Sequence, residues 1–191
     1  VLLTVHPAEC QVREHFIGRL GQLGASPGAT PEARVDAKAI APRLPPSPAD
    51  LMLRIVNHMV DGYLDLRRLL TRQLGYLQQE LLNPRSRFDN WHALLDARNA
   101  LHQLEDTCED QRSAIQEWID ALDEWPPETS PDGQRERELL RVRSRDVLEH
   151  IERVLGHVRR LENSAESAVQ MHFSALSHRT NDIMRTLTVL T

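Results

Sequence analysis

The sequence predicts a mainly α protein: the remnant of an N-terminal α/β domain, then a long antiparallel helical hairpin, then a very long C-terminal stalk helix. Three observations carry that reading. From Gln134 to Thr191 the chain has no proline and one glycine, Gly156. Within that stretch Val147, Ile151, Val154, Val158, Leu161, Ala165, Ala168, His172 and Ala175 follow alternating steps of four and three, the seam of a long packed helix. Upstream, proline clusters at Asn83-Pro84 and Trp125-Pro126-Pro127 divide the chain into two long segments of helical periodicity.

The elements follow in order. Val1-Leu2-Leu3-Thr4-Val5 is a short, apolar, partly β-branched run and is expected to be a strand, ended by Pro7. Val12, Phe16, Ile17, Leu20 and Leu23 have helical spacing over Glu9 to Leu23. One strand cannot satisfy its own backbone, so residues 1–23 are taken as the last strand and helix of a truncated α/β domain. Residues 24–47 hold Pro27, Pro31, Pro42, Pro45 and Pro46 with little periodicity and are expected to be a linker.

The hairpin is assigned to residues 48–125. Ser47 is the expected cap, Pro48 suits the first turn, and Asp50 suits the helix dipole. Apolar residues from Leu51 to Leu81 carry this helix to Asn83-Pro84. A second helix is expected from near Asp89 to Trp125, and a short turn over Asn83–Phe88 makes the pair antiparallel. The loop from Pro126 to Gly133 feeds the stalk, assigned to residues 132–191. The fifty-eight residues from Gln134 on would span about 87 Å as helix. The stalk ends apolar and without a cap, so the chain is expected to be a piece of a longer one.

Composition excludes several functions. Aromatic residues are 4% and charged residues 27%, a balance suited to long exposed helices. A net charge of −5 leaves no basic excess for a nucleic-acid partner. The charge is uneven: Glu105, Asp106, Glu109, Asp110, Glu117, Asp120, Asp123, Glu124 and Glu128 face only Arg112 between Asn99 and Glu128. Two cysteines, Cys10 and Cys108, form no disulfide framework and fit a reducing compartment. No signal peptide is present, and no run of about 18 apolar residues.

No phosphate-binding glycine loop, cysteine metal motif or nucleophile elbow occurs, and the chain is not expected to be an enzyme. His150 and His157 lie two turns apart on the stalk, wider than the spacing of three or four usual for helical zinc ligands. With His172 and His178 they are best taken as surface or interface residues. His102, Asp106, Glu109 and Asp110 fall near one helix face, with Glu105 beside it. These carboxylates could attract a hydrated Mg²⁺, although a solvated acidic face is the plainer reading. Arg145 and Glu149 have the spacing of an ordinary helical ion pair.

Two pieces of the stalk add a resemblance. Ser177-His178-Arg179-Thr180-Asn181-Asp182-Ile183-Met184-Arg185-Thr186-Leu187-Thr188 resembles the segment entering the first membrane helix of CorA-type magnesium transporters, whose pattern is Ser-x-Arg/Lys-x-Asn-x-x-Met-x-x-Leu-Thr. Arg145-Asp146-Val147-Leu148-Glu149-His150 is similar to that family's Arg-Asp-Val-Tyr-Asp-His stretch, and Leu2-Leu3-Thr4-Val5-His6 to the final strand of its N-terminal domain.

The resemblance implies the cytoplasmic part of a homopentameric divalent-cation channel of the inner (plasma) membrane. It implies Mg²⁺ as the cation, with Co²⁺ and Ni²⁺ as further candidates, and no organic cofactor. The stalk would line a funnel and lead into membrane spans beyond Thr191. Asn181, Met184, Leu187 and Thr188 match pore-lining or gate positions, and Thr191 would follow on the same face. Polar rings there would pass hydrated Mg²⁺, and rings of Met184 and Leu187 would block it by dewetting. Asp146 matches an acidic position of the family's regulatory cation site. A second such position, eleven residues before Asn181, is Gln170 here, a weaker Mg²⁺ ligand. The alternatives are the zinc-transporter branch of the same superfamily and a cytosolic helical scaffold without transport.

Overall fold

The computed structural model describes residues 1–24, 44–83 and 88–190, with the backbone alone described at 23, 24, 186, 187, 189 and 190. Most of the linker assigned to 24–47, the middle of the Asn83–Phe88 turn, and Thr191 lie outside the described residues. Four helices are present among the described residues: α1 (Gln11–Gly24), α2 (Pro48–Leu82), α3 (Trp91–Glu124) and α4 (Pro131–Leu190). The described residues contain no strand. The strand expected at Val1–Val5 is therefore corrected: the segment has no regular structure, and Val1, Leu3 and Val5 are exposed. A strand exists through its ladder to a second one, and none of the described residues offers one.

The chain divides into two compact units that cut across the helices. The first holds Val1–Asp61 and Ile119–Val147; the second holds Gly62–Trp118 and Leu148–Thr191.

In the first unit, Ser47 caps α2 as its position suggests. Its hydroxyl accepts the Asp50 N–H at 3.3 Å, and its carbonyl accepts the Leu51 N–H at 3.1 Å. Asp50 does more than face a helix dipole. It is buried, and its carboxylate pairs with Arg54 at 2.8 Å and with Arg143 of α4. Leu53, Val60, Ile119, Leu122, Leu140 and Val147 form the apolar core around it. The Arg137 guanidinium donates to the carbonyls of Leu122, Asp123 and Pro126 at 2.9, 3.0 and 3.0 Å, so a side chain of α4 closes the C-terminus of α3. Ser130 caps α4 in turn, accepting the Gly133 N–H at 3.1 Å. On α1, His15 stacks on His58 of α2 with ring centres 4.4 Å apart, and Phe16 meets the same ring edge-on.

In the second unit, Gln111 of α3 donates to Tyr63 of α2 at 2.7 Å, and Asn90 donates to Glu80 at 2.7 Å. Numbers fall along α3 as they rise along α2, so these portions run antiparallel. Gln78 reaches Ser164 and Leu81 reaches His172, which sets α4 parallel to α2. Leu70, Leu74, Leu77 and Leu81 of α2 are buried with Leu94, Leu101, Leu104 and Cys108 of α3. From α4 come Ile151, Val154, Val158, Ala165 and Ala168. Each large side chain buried there contributes about 1.5–3 kcal/mol, which offsets the ordering of three helices. The expected seam is thus the packed face of α4, except at its end: Leu161 and His172 are half-buried and Ala175 is exposed.

Candidate functional site

The acidic segment of α3 meets α4 in the second unit and is not one uniform face. Glu105 and Glu109, one turn apart, both point to Arg159 of α4: its Nε donates to Glu105 at 2.7 Å, and its terminal nitrogen pairs with Glu109. Asp106 and Asp110 are turned to solvent. The face proposed from spacing, His102 with Asp106, Glu109 and Asp110, is therefore split. The better grouping is His102, Glu105 and Glu109, because the packed side of α3 is set by Leu101, Leu104 and Cys108.

His102 also reaches across to α4. Its Nδ1 lies 3.1 Å from Glu162 Oε1 and 3.9 Å from Glu105 Oε2. One ligand atom from each of His102, Glu105 and Glu162 falls within 4.8 Å of the others, the only such group of three among the described residues. The Glu162 carboxyl is pushed above its usual range by burial first, then by the Glu105 carboxylate that bonds to it; His102 and Arg98 act the other way. A divalent cation bound here would compete with the proton that the Glu162 carboxyl holds more tightly than usual. One imidazole with two carboxylates suits zinc, cobalt or nickel more than Mg²⁺. Arg159 already occupies the other oxygen of Glu105 and opposes such binding. Sequence reasoning missed Glu162. The available signal was its place beside the seam residues Val158, Leu161 and Ala165, where a charged side chain can reach a neighbouring helix.

The other candidates are not members of this cluster. Asp146 is exposed on the part of α4 in the first unit, one residue before buried Val147. Arg145 and Glu149 are both exposed. Gln170 is exposed and donates to Glu166 at 3.4 Å.

Beyond His172 the character of α4 changes. Every side chain from Phe173 to Arg185 is exposed, including Phe173, Leu176, Ile183 and Met184, which is 61% exposed. Asn181, Met184 and Thr188 recur at steps of three and four and share a stripe, and the Thr188 hydroxyl bonds back to the Met184 carbonyl at 2.8 Å. The backbone of Leu187 continues the helix, while its side chain and Thr191 lie outside the described residues. Among the described residues no helix is long and apolar enough to cross a membrane.

Comparison with protein families settles the kinship of this arrangement. The family described as CorA-like Mg²⁺ transporter protein matches residues 2–191. The chain belongs to that family. No curated protein matches it. The CorA-like family is one of divalent-cation transporters of membranes and not of enzymes, which accords with the lack of a catalytic motif. In this CorA-like chain the turns of α4 from Phe173 to Arg185 are exposed.

Proposed function

We propose that this chain is the cytoplasmic part of a homopentameric Mg²⁺ channel, in which α4 lines a funnel and carries its ion path toward the membrane. The family match over residues 2–191 carries the reading. The stripe of Asn181, Met184 and Thr188 supports it, because an amide, a thioether and a hydroxyl on one exposed face of α4 suit the lining of an ion path. Mg²⁺ sheds water reluctantly, so amide and hydroxyl rings from Asn181, Thr188 and Thr191 would pass it hydrated. Met184 and Leu187 would form the apolar constriction that closes the path. Co²⁺ and Ni²⁺ are further cargoes of the same chemistry.

Asp146 would hold a regulatory cation between neighbouring copies. Bound Mg²⁺ neutralises facing carboxylates and favours the closed state, and its loss lets like charges push the copies apart. Gln170 stands where the resemblance expects a second acid, so regulation would rest more heavily on Asp146 than on a paired site. The zinc branch of the superfamily has one observation in its favour, the imidazole and two carboxylates at His102, Glu105 and Glu162.

The test is uptake of Mg²⁺ and Zn²⁺ into liposomes by the transporter that carries this chain with its membrane spans. Uptake of Mg²⁺ in preference to Zn²⁺ is expected. Zinc uptake alone would move the protein to the other branch, and no uptake of either would remove the channel reading.

A further inference from the structure

A second feature of the second unit has no part in that account. Arg67, Arg68, Thr71 and Arg72 of α2, with His157 and Arg160 of α4, line a groove of about 580 Å³. Four guanidinium groups thus meet in one hollow of a chain whose net charge is −5. Arg68 is paired with Asp65 at 2.8 Å. Among the described residues no carboxylate pairs with Arg67, Arg72 or Arg160. The Nε of Arg67 is buried without a hydrogen-bond partner. Arg160 donates to His157 Nδ1 at 2.7 Å, which uses a neutral imidazole in place of an acid.

These observations point to a missing anion. A covered N–H donor with no acceptor is costly, and Arg67 Nε is such an atom on a half-buried side chain. Clustered guanidinium groups repel unless a counter-charge sits among them, and their planar forks match the oxygens of phosphate. The His157 imidazole is held below its usual value by burial, then by Arg67, Arg160 and Arg153, as expected where positive charge is uncompensated. The groove has the size of a small-molecule site, for which about 300–1,000 Å³ is usual.

We propose that this groove binds a soluble polyphosphate anion, of the class of inorganic tripolyphosphate or the phosphate chain of a nucleotide. Three guanidinium groups without acid partners call for several negative charges in a small volume, which a polyphosphate supplies and a single carboxylate does not. A lipid headgroup offers the same phosphate chemistry. On the functional reading above it is the less suitable source, since His157 lies roughly 36 Å before Asn181 along α4 at the helical rise.

Isothermal calorimetry of the full chain with sodium tripolyphosphate at low salt tests the site. Saturable one-to-one binding is expected, with orthophosphate weaker by at least about tenfold. Arg72→Gln and Arg160→Gln alter exposed side chains, so the fold persists, and each should weaken binding by about tenfold or more. Arg135→Gln, an exposed arginine of the first unit, should leave it unchanged, and the His157 ring resonances should move during titration. Absence of saturable binding would overturn the proposal, as would equal loss in Arg135→Gln or no loss in the two groove variants. Binding to phosphatidylglycerol vesicles without binding to tripolyphosphate would transfer the groove to a lipid headgroup and overturn the soluble assignment. None of these outcomes depends on cation flux.

Discussion

The guanidinium of Arg143 pairs with the carboxylate of Asp50, a residue 1% exposed at the first turn of α2. Arg54 takes the same carboxylate at 2.8 Å. Breaking a buried pair by removing one member leaves a buried charge uncompensated and costs about 3–5 kcal/mol. Asp50→Ala strands the arginine ends, although both can turn toward water, and should lower the unfolding free energy by about 3 kcal/mol, seen as a lower urea midpoint. Arg143→Met should cost less, because Arg54 still holds Asp50. Equal midpoints for wild type and Asp50→Ala would contradict the assignment.

Glu162 gives stability a pH dependence with a definite sign. Its folded pKa is raised above the ordinary 4.5, by burial first and then by Glu105. The folded state therefore binds the proton more tightly than the unfolded state does. The stabilisation is complete below the ordinary value and is lost as pH rises through the raised one. Glu162→Gln removes this loss. The variant should match wild type in melting temperature at acid pH and exceed it toward neutrality, less any contribution from the His102 contact. A gap that narrowed with rising pH would show the sign to be wrong.

The two cysteines should differ in reactivity. Cys108 is fully buried, and burial followed by the nearby Glu105 charge pushes its thiol up to about 11. Cys10 is half-buried ahead of α1. Because the thiolate is the reacting form, iodoacetamide at neutral pH should label Cys10 and spare Cys108 until the chain unfolds. Mass mapping of the labelled peptides decides this, and comparable labelling of both would refute the burial of Cys108.

The sequence reveals the parts of this fold that depend on local periodicity. The four-three rhythm from Val147 to Ala168 lies on the packed face of α4, and Ser47 caps α2 where expected. Helix α3 begins at Trp91, two residues after the expected Asp89, with the Asn90 carbonyl accepting the Leu94 N–H. What could not be read depends on pairs distant in sequence. Asp50 with Arg143, Arg137 with the end of α3, and Glu162 with His102 are each made by helices meeting in space, and no spacing encodes them. The expected strand failed for a related reason: Val1–Val5 has a strand's composition, but only a partner makes a strand. The stripe of Asn181, Met184 and Thr188 was found by resemblance to a family, because its exposed residues look on physical grounds like any helix end.

The central claim is that Met184 faces an ion path. Its most direct test is Mg²⁺ flux in liposomes by the membrane-spanning transporter carrying Met184→Cys, with Cys10 and Cys108 replaced, before and after a cationic thiol reagent. Modification is expected to abolish most of the flux and to leave the cysteine-free parent unaffected. Undiminished flux through a protein shown by mass to be fully modified at position 184 would contradict the account.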